Sequence, residues 1–299
     1  MPDTPLTHSD FVANFQIDQR PVRGRAVRMG PQSISPIVHR HDYPENLARI
    51  LGEAVTLASL VGSSLKFDGR LLVQAEGDGP VKMLVGEYRT DGGVRGYARF
   101  DAEAWDNLDR INKGAAPHMP QLFGAAGRLG LIIIQDNPAI QPYQGIVPLV
   151  KGTLAECAED YFAQSEQIET GIVMGVGLRD GKWRAQGLML QRMPEEGGTA
   201  SGNIEEDDWR RAMILMQSCK EDELLDPGLS AEDILTRLFH EEGVRVYDPR
   251  FLEKTCRCSF EKVEAVLKTM PEEDKQDMAE DGVITMTCEF CNQDYVFDL

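Results

Sequence analysis

Positive charge is scarce in this sequence. Its 299 residues carry 31 Lys and Arg against 49 Asp and Glu, a net charge of −18. A surface with that balance cannot neutralise a row of phosphates, so no nucleic-acid partner is expected. Long apolar runs are missing too. Leu131–Ile134 is among the longest, far from the roughly 20 residues that cross a bilayer, so no membrane partner is expected either. Met1–Asp10 shows neither a basic-then-apolar secretion signal nor an Arg-rich transit pattern, which points to a cytoplasmic protein. Aromatic residues are only 7%, but 42% apolar and 27% charged residues make a globular profile, not a disordered one.

The acidity is uneven. Residues 1–194 are nearly neutral, with 20 basic and 22 acidic side chains, whereas residues 195–299 hold −16 of the net −18. The break falls in Met193–Gly202, a stretch with one Pro, three Gly and no periodicity, the signature of a linker. Three units are therefore expected: a core domain over 1–194, an acidic helical linker over 195–253 and a small C-terminal module over 254–299.

The core reads as α+β, with a mixed, largely antiparallel sheet. Strands are expected over Val12–Ile17, Val22–Met29, Arg70–Ala75, Val81–Tyr88, Val94–Phe100, Leu129–Gln135, Gln144–Val150, Ile172–Leu178 and Trp183–Gln191. Short turns such as Asp91-Gly92-Gly93 and Arg179-Asp180-Gly181 favour hairpins over crossovers. From Pro44 onward, Leu47, Ile50, Leu51, Ala54, Leu57, Ala58 and Val61 fall on one helical face. A further helix is expected over Leu154–Gln164. The linker predicts helices over Glu205–Lys220 and from Ser230 to a stop at Gly243.

Several local motifs lead nowhere. His39 and His41 offer a metal two ligands but no third. Ser63 and Lys66 match a short acylase pattern without its companion motifs. Gly175-Val176-Gly177 lacks the following helix N-terminus that a dinucleotide needs.

The cysteines are different. Four of the six lie in the last 44 residues, as Cys256-Arg257-Cys258 and Cys288-Glu289-Phe290-Cys291. Two close thiol pairs are what a tetrahedral four-cysteine zinc site requires, so one Zn2+ per chain is expected on Cys256, Cys258, Cys288 and Cys291. Helices over Ser259–Leu267 and Pro271–Glu280 and a strand over Val283–Thr287 account for the 29-residue spacing. A module this small has a marginal core, and zinc can contribute on the order of 10–16 kcal/mol to its folding. The site is then either an inert staple or a switch. Metal-bound thiolates are the form oxidants attack, and each close pair carries its own resolving thiol. Disulfides Cys256–Cys258 and Cys288–Cys291 would remove all four ligands together. No acid–base or nucleophile set marks an enzyme, and no catalytic residue is assigned.

The tail motif Cys256-Arg257-Cys258-Ser259 with Cys288-Glu289-Phe290-Cys291-Asn292 and Tyr295 resembles the redox-regulated 33 kDa heat-shock protein family. So do Gly77-Asp78-Gly79-Pro80, Tyr143-Gln144-Gly145-Ile146-Val147-Pro148-Leu149, Ser165-Glu166-Gln167 and His240-Glu241-Glu242. The resemblance covers nearly the whole chain. It implies an ATP-independent holdase that is a quiescent zinc-bound monomer when reduced. Oxidation would form the two disulfides, the second pair first, and release zinc. The protein would then dimerise, bind unfolding clients and later pass them to ATP-dependent foldase chaperones.

The linker fits a client-binding role, since Trp209, Met213, Ile214, Leu215 and Met216 stand together among acidic neighbours and Met adapts to varied apolar partners. Cys157, on the apolar side of its helix, reads as a buried inert thiol, and Cys219 as an accessible bystander. Two rivals remain: a constitutive interaction module with a purely structural zinc, and a thiol–disulfide oxidoreductase. Against the second, Cys288 and Cys291 do not open a thioredoxin-like helix.

Overall fold

The computed structural model describes residues 10–18, 22–193 and 206–298. Most of the expected linker loop, from residue 194 on, lies outside them. Alternating apolar residues make strands β1 (Phe11–Ile17) and β2 (Val22–Met29), followed by the short helix α1 (Ile34–Val38) and the long α2 (Glu45–Ser64). Next come β3 (Gly69–Glu76), β4 (Val81–Arg89) and β5 (Gly93–Phe100), helices α3 (Ala102–Asn112) and α4 (Met119–Phe123), then β6 (Arg128–Gln135) and β7 (Tyr143–Pro148). Helix α5 (Leu154–Tyr161) runs into a π-helical turn, Phe162–Glu166, before the hairpin β8 (Thr170–Arg179) and β9 (Lys182–Arg192). The acidic region holds α6 (Glu206–Gln217), α7 (Glu221–Leu224), α8 (Ala231–Phe239) and three short strands, β10 (Val244–Val246), β11 (Arg250–Phe251) and β12 (Glu253–Lys254). The tail folds as α9 (Phe260–Lys268), α10 (Glu272–Met278), β13 (Val283–Thr287) and β14 (Asp294–Asp298).

The fold is α+β, as expected. One sheet has the order β10-β1-β2-β9-β8, with β11 also on β1, and the other β12-β5-β4-β3-β6-β7. Every pairing in these two sheets is antiparallel except that of β12, which lies parallel to β5. Helix α2 is enclosed between β3–β5 of one sheet and β2, β8 and β9 of the other. The backbones approach closely there: a Cβ on Gly86 of β4 would lie 2.3 Å from the Ala54 backbone. Within α2, Thr56 and Ser59 donate their hydroxyls to Gly52 and Val55 carbonyls at 2.8 and 2.9 Å, which satisfies them in a dry interior. At 20 residues α2 is long and apolar enough to cross a membrane by length and composition, contrary to the expectation from apolar runs. Of its most apolar stretch, 78% is buried inside the fold, which marks a core helix.

Strand alternation divides the first sheet between two cores. Val12, Val27, Met29 and Met189 face α2, while Phe11, Phe15, Ile17, Leu188 and Leu190 face the other way, onto Trp209, Met216, Ile234 and Phe239 of α6 and α8. Phe15 lies across Gly24, where a Cβ would come within 2.1 Å of its ring. The acidic region thus covers an apolar sheet face and, through β10, β11 and β12, borders the edge strands of both sheets. Those three strands are a difference from the all-helical expectation.

Candidate metal centre

Cys256 and Cys258 follow β12, which is held on the core by Glu253 and Thr255, whose amides donate to the Gly92 and Val94 carbonyls at 3.1 and 3.0 Å. Cys288 ends β13. Cys291 stands in the turn to β14, where Asn292 takes a positive φ of 53° and donates its amide to the Cys288 carbonyl at 2.7 Å. These two supports bring the pairs together. The sulfurs of Cys256 and Cys258 are 3.3 Å apart, those of Cys258 and Cys291 3.2 Å, and those of Cys256 and Cys288 3.8 Å. All four lie within 4.8 Å of one another. A tetrahedral ion with Zn–S near 2.3 Å needs sulfurs about 3.8 Å apart, so the four residues fit Zn2+ in number, type and spacing.

The thiols divide when they titrate together. Burial raises the Cys256 thiol, but hydrogen bonds from the Cys258 amide and the neighbouring thiols outweigh it and draw it down to about 7. Burial pushes Cys291 up to about 12 and Cys288 upward as well. A divalent cation would hold all four as thiolates. The Tyr295 hydroxyl, hydrogen-bonded to Cys258, is also pushed up.

The cluster is joined to the core by a buried ionic node. Glu87 of β4 is buried, with its side chain 2% exposed, and three guanidinium groups surround it: Arg95 at 2.7 Å, Arg257 at 3.1 Å and Arg70 at 4.0 Å. Arg257 is the residue between the first two cysteines. Phe290, between the second two, stacks edge-on against Tyr97 at 4.8 Å and lies 3.8 Å beneath the Arg95 guanidinium. Arg40 donates to the Cys291 carbonyl at 2.5 Å. Each cysteine pair therefore carries an intervening side chain that reaches into the second sheet.

Comparison with known proteins agrees with this geometry. A family model described as Hsp33 protein matches residues 10–298. The chain belongs to the Hsp33 family. The 33 kDa chaperonin of Caulobacter vibrioides is 44% identical over 303 residues, covering 99% of this chain and 97% of its own length. The 33 kDa chaperonin of Shigella flexneri is 37% identical, covering 100% and 94%. The crystal structure of the Thermotoga maritima 33 kDa chaperonin shares the fold, with a TM-score of 0.78 at 24% identity over 97% of this chain and 95% of that one. The family resemblance in the sequence is thus confirmed.

The structure separates the other candidate residues. Trp209 and Met216 are buried against the first sheet, Met213 and Leu215 are half-buried, and Ile214 points to solvent, 59% exposed. Cys157 is buried, and burial raises its thiol. Burial and Glu223 push Cys219 up to about 11, which makes it unreactive near neutral pH. His39 caps the C-terminus of α1 and joins no metal-binding group among the described residues. Glu87 and Phe290 went unread in the sequence. The usable signal was a charge in a strand buried on both faces, which must have a partner.

Proposed function

We propose that this chain is a redox-switched, ATP-independent holdase chaperone of the cytoplasm. The observation that carries the reading is the four-cysteine cluster in direct connection, through Arg257 and Phe290, with the core. Zn2+, when bound, holds the four sulfurs as thiolates and ties β12, β13 and β14 to one point. In this reading a core over 1–194 carries a linker over 195–253 and a redox module over 254–299.

Peroxide is the oxidant. A thiolate of each pair attacks one peroxide oxygen, the O–O bond breaks and hydroxide leaves. The paired thiolate then displaces a second hydroxide from the sulfenic acid and closes the disulfide. Two peroxides are reduced as Cys256–Cys258 and Cys288–Cys291 form, the second pair first, and no metal donor remains. The module's own core is Leu267, Ile284 and Phe297, too little to keep it folded. Loss of the module releases β12 from β5 and then β10, α8 and α6 from the first sheet. The uncovered face, with Trp209, Met213, Ile214, Leu215 and Met216, binds unfolding clients and a second copy of the chain. Reduction reverses the step, and clients pass to ATP-dependent foldases.

Light scattering of a heat-unfolded client tests this. The peroxide-treated protein should suppress aggregation and the reduced, zinc-loaded protein should not. Equal suppression by both would support the rival, a constitutive binder with a structural zinc. Insulin-reduction turnover would instead mark an oxidoreductase. Met213→Glu with Met216→Glu should abolish protection by the oxidised form. Intact protection in that variant would remove α6 from the client surface.

A further inference from the structure

An open cavity of about 460 Å³ lies beside the cysteine cluster, lined by Arg95, Arg257, Lys262, Met286 and two of the four cysteines, Cys258 and Cys288. Cys256 and Cys291 do not line it. None of its lining residues is acidic, although residues 251–299 carry a net charge of −7. The cations there exceed their partners. Arg95 and Arg257 share one carboxylate, Glu87, and the Nε–H of each is buried without an acceptor. Lys262 Nζ donates to the Arg257 carbonyl at 2.8 Å, a neutral partner that leaves its charge uncompensated. The nearby acids are engaged elsewhere: Glu289 with the Tyr97 hydroxyl, Glu261 with Ser259.

Resting on the reading of the cluster as a reactive thiolate centre, we infer that this cavity is a binding site for small anionic electrophiles and delivers them to Cys258 and Cys288. Its volume falls in the range of small-molecule sites. A concave surface of one sign with apolar walls concentrates ions of the other sign and raises their encounter rate. A thiolate cluster is itself negative and repels anionic reagents, so Arg95, Arg257 and Lys262 reverse a barrier that the chemistry would otherwise impose. Cys258 and Cys288 are the attacked sulfurs, and Cys256 and Cys291 the resolving ones.

Iodoacetate and iodoacetamide, nearly equal in size but differing by one charge, test the inference. With either, the sulfur lone pair attacks the methylene carbon, an S–C bond forms, the C–I bond breaks and iodide leaves. The zinc-loaded, reduced full-length protein is treated at low ionic strength, and modification is followed by peptide mass spectrometry. The rate ratio of iodoacetate to iodoacetamide at Cys258 and Cys288 should exceed the ratio for N-acetylcysteinamide, an uncharged thiol in the same reaction, by on the order of tenfold. The excess should shrink with added salt and in Lys262→Gln, and persist in Lys262→Arg, with zinc content unchanged in both variants. A ratio equal to that of the free thiol would overturn the cavity's role and leave the redox reading standing. Absence of modification at both sulfurs by either reagent would overturn both. First modification at Cys256 or Cys291 would contradict the assignment of the attacked sulfurs.

Discussion

Helix α2 and the C-terminal module represent two ways of holding a chain together. Around α2 the core is continuous across two sheets, from Val12 and Met29 through Leu51, Leu57 and Val61 to Leu71, Tyr88 and Leu131. In the module the buried apolar set is Leu267, Ile284 and Phe297. The first region is stable by packing alone. The second is joined to the core by four sulfurs, one buried ionic node and one aromatic contact, of which the sulfurs and the node are open to a change of oxidation state or charge. Between them, α6 and α8 pack on the first sheet with apolar residues of their own but are followed by β10–β12, whose pairings are two or three residues long. The packed apolar core therefore thins along the chain, and the four-cysteine cluster is at the thin end.

Metal removal should widen this difference most. Stripping zinc from the reduced protein withdraws on the order of 10 kcal/mol from the module. Trypsin should then cut at Lys262, Lys268 and Lys275 while the segment containing α2 stays intact. Resistance of those three sites after chelation would mean that the module's own packing suffices.

A smaller effect is expected at the node. Glu87→Gln leaves Arg70, Arg95 and Arg257 together without their acid, a change that costs about 3 kcal/mol when a buried partner is removed. Urea unfolding should show the loss, and exchange of the Glu253 and Thr255 amides should accelerate as β12 leaves β5. Loss of stability with unchanged exchange at β12 would make the node a feature of the core alone.

The least effect is expected at Glu53 of α2, which burial pushes from 4.5 up to about 7, with Glu221 of α7 adding to it and Arg49 opposing. The folded state retains a proton that the unfolded chain releases. Stability from this group is complete below about pH 4.5, is lost as pH rises to about 7, and is flat beyond. Glu53→Gln should therefore gain on the order of 2 kcal/mol at pH 8 and little at pH 4. An equal gain at both pH values would exclude titration as the cause.

The regular half of this contrast was legible in the sequence. Strand alternation and Gly-containing turns located β1 to β9, the periodicity from Pro44 located α2, and cysteine spacing located the four-sulfur cluster. What escaped lacks a local signal. Strands β10–β12 are too short for periodicity and exist through partners more than 150 residues away. Helix α3 buries a single residue, Trp105, so its short apolar face is weakly marked by packing. Strand β14 is legible only once β13 is placed beside it. The π-helical turn after α5 continues a helix that the sequence extends as regular. The link from Arg257 to Glu87 joins residues 170 apart, and neither residue names the other.

The central claim is that oxidation of four cysteines unfolds the chain from its C-terminal end and stops at the first sheet. Amide hydrogen exchange on the full-length protein, reduced and zinc-loaded against peroxide-oxidised, tests it most directly. The account predicts that protection is lost in α9, β13 and β14, in β12 and β10, and in α6 and α8, while α2, β3 and β4 keep theirs. Retention of protection in α6 and α8 after both disulfides have formed would contradict it.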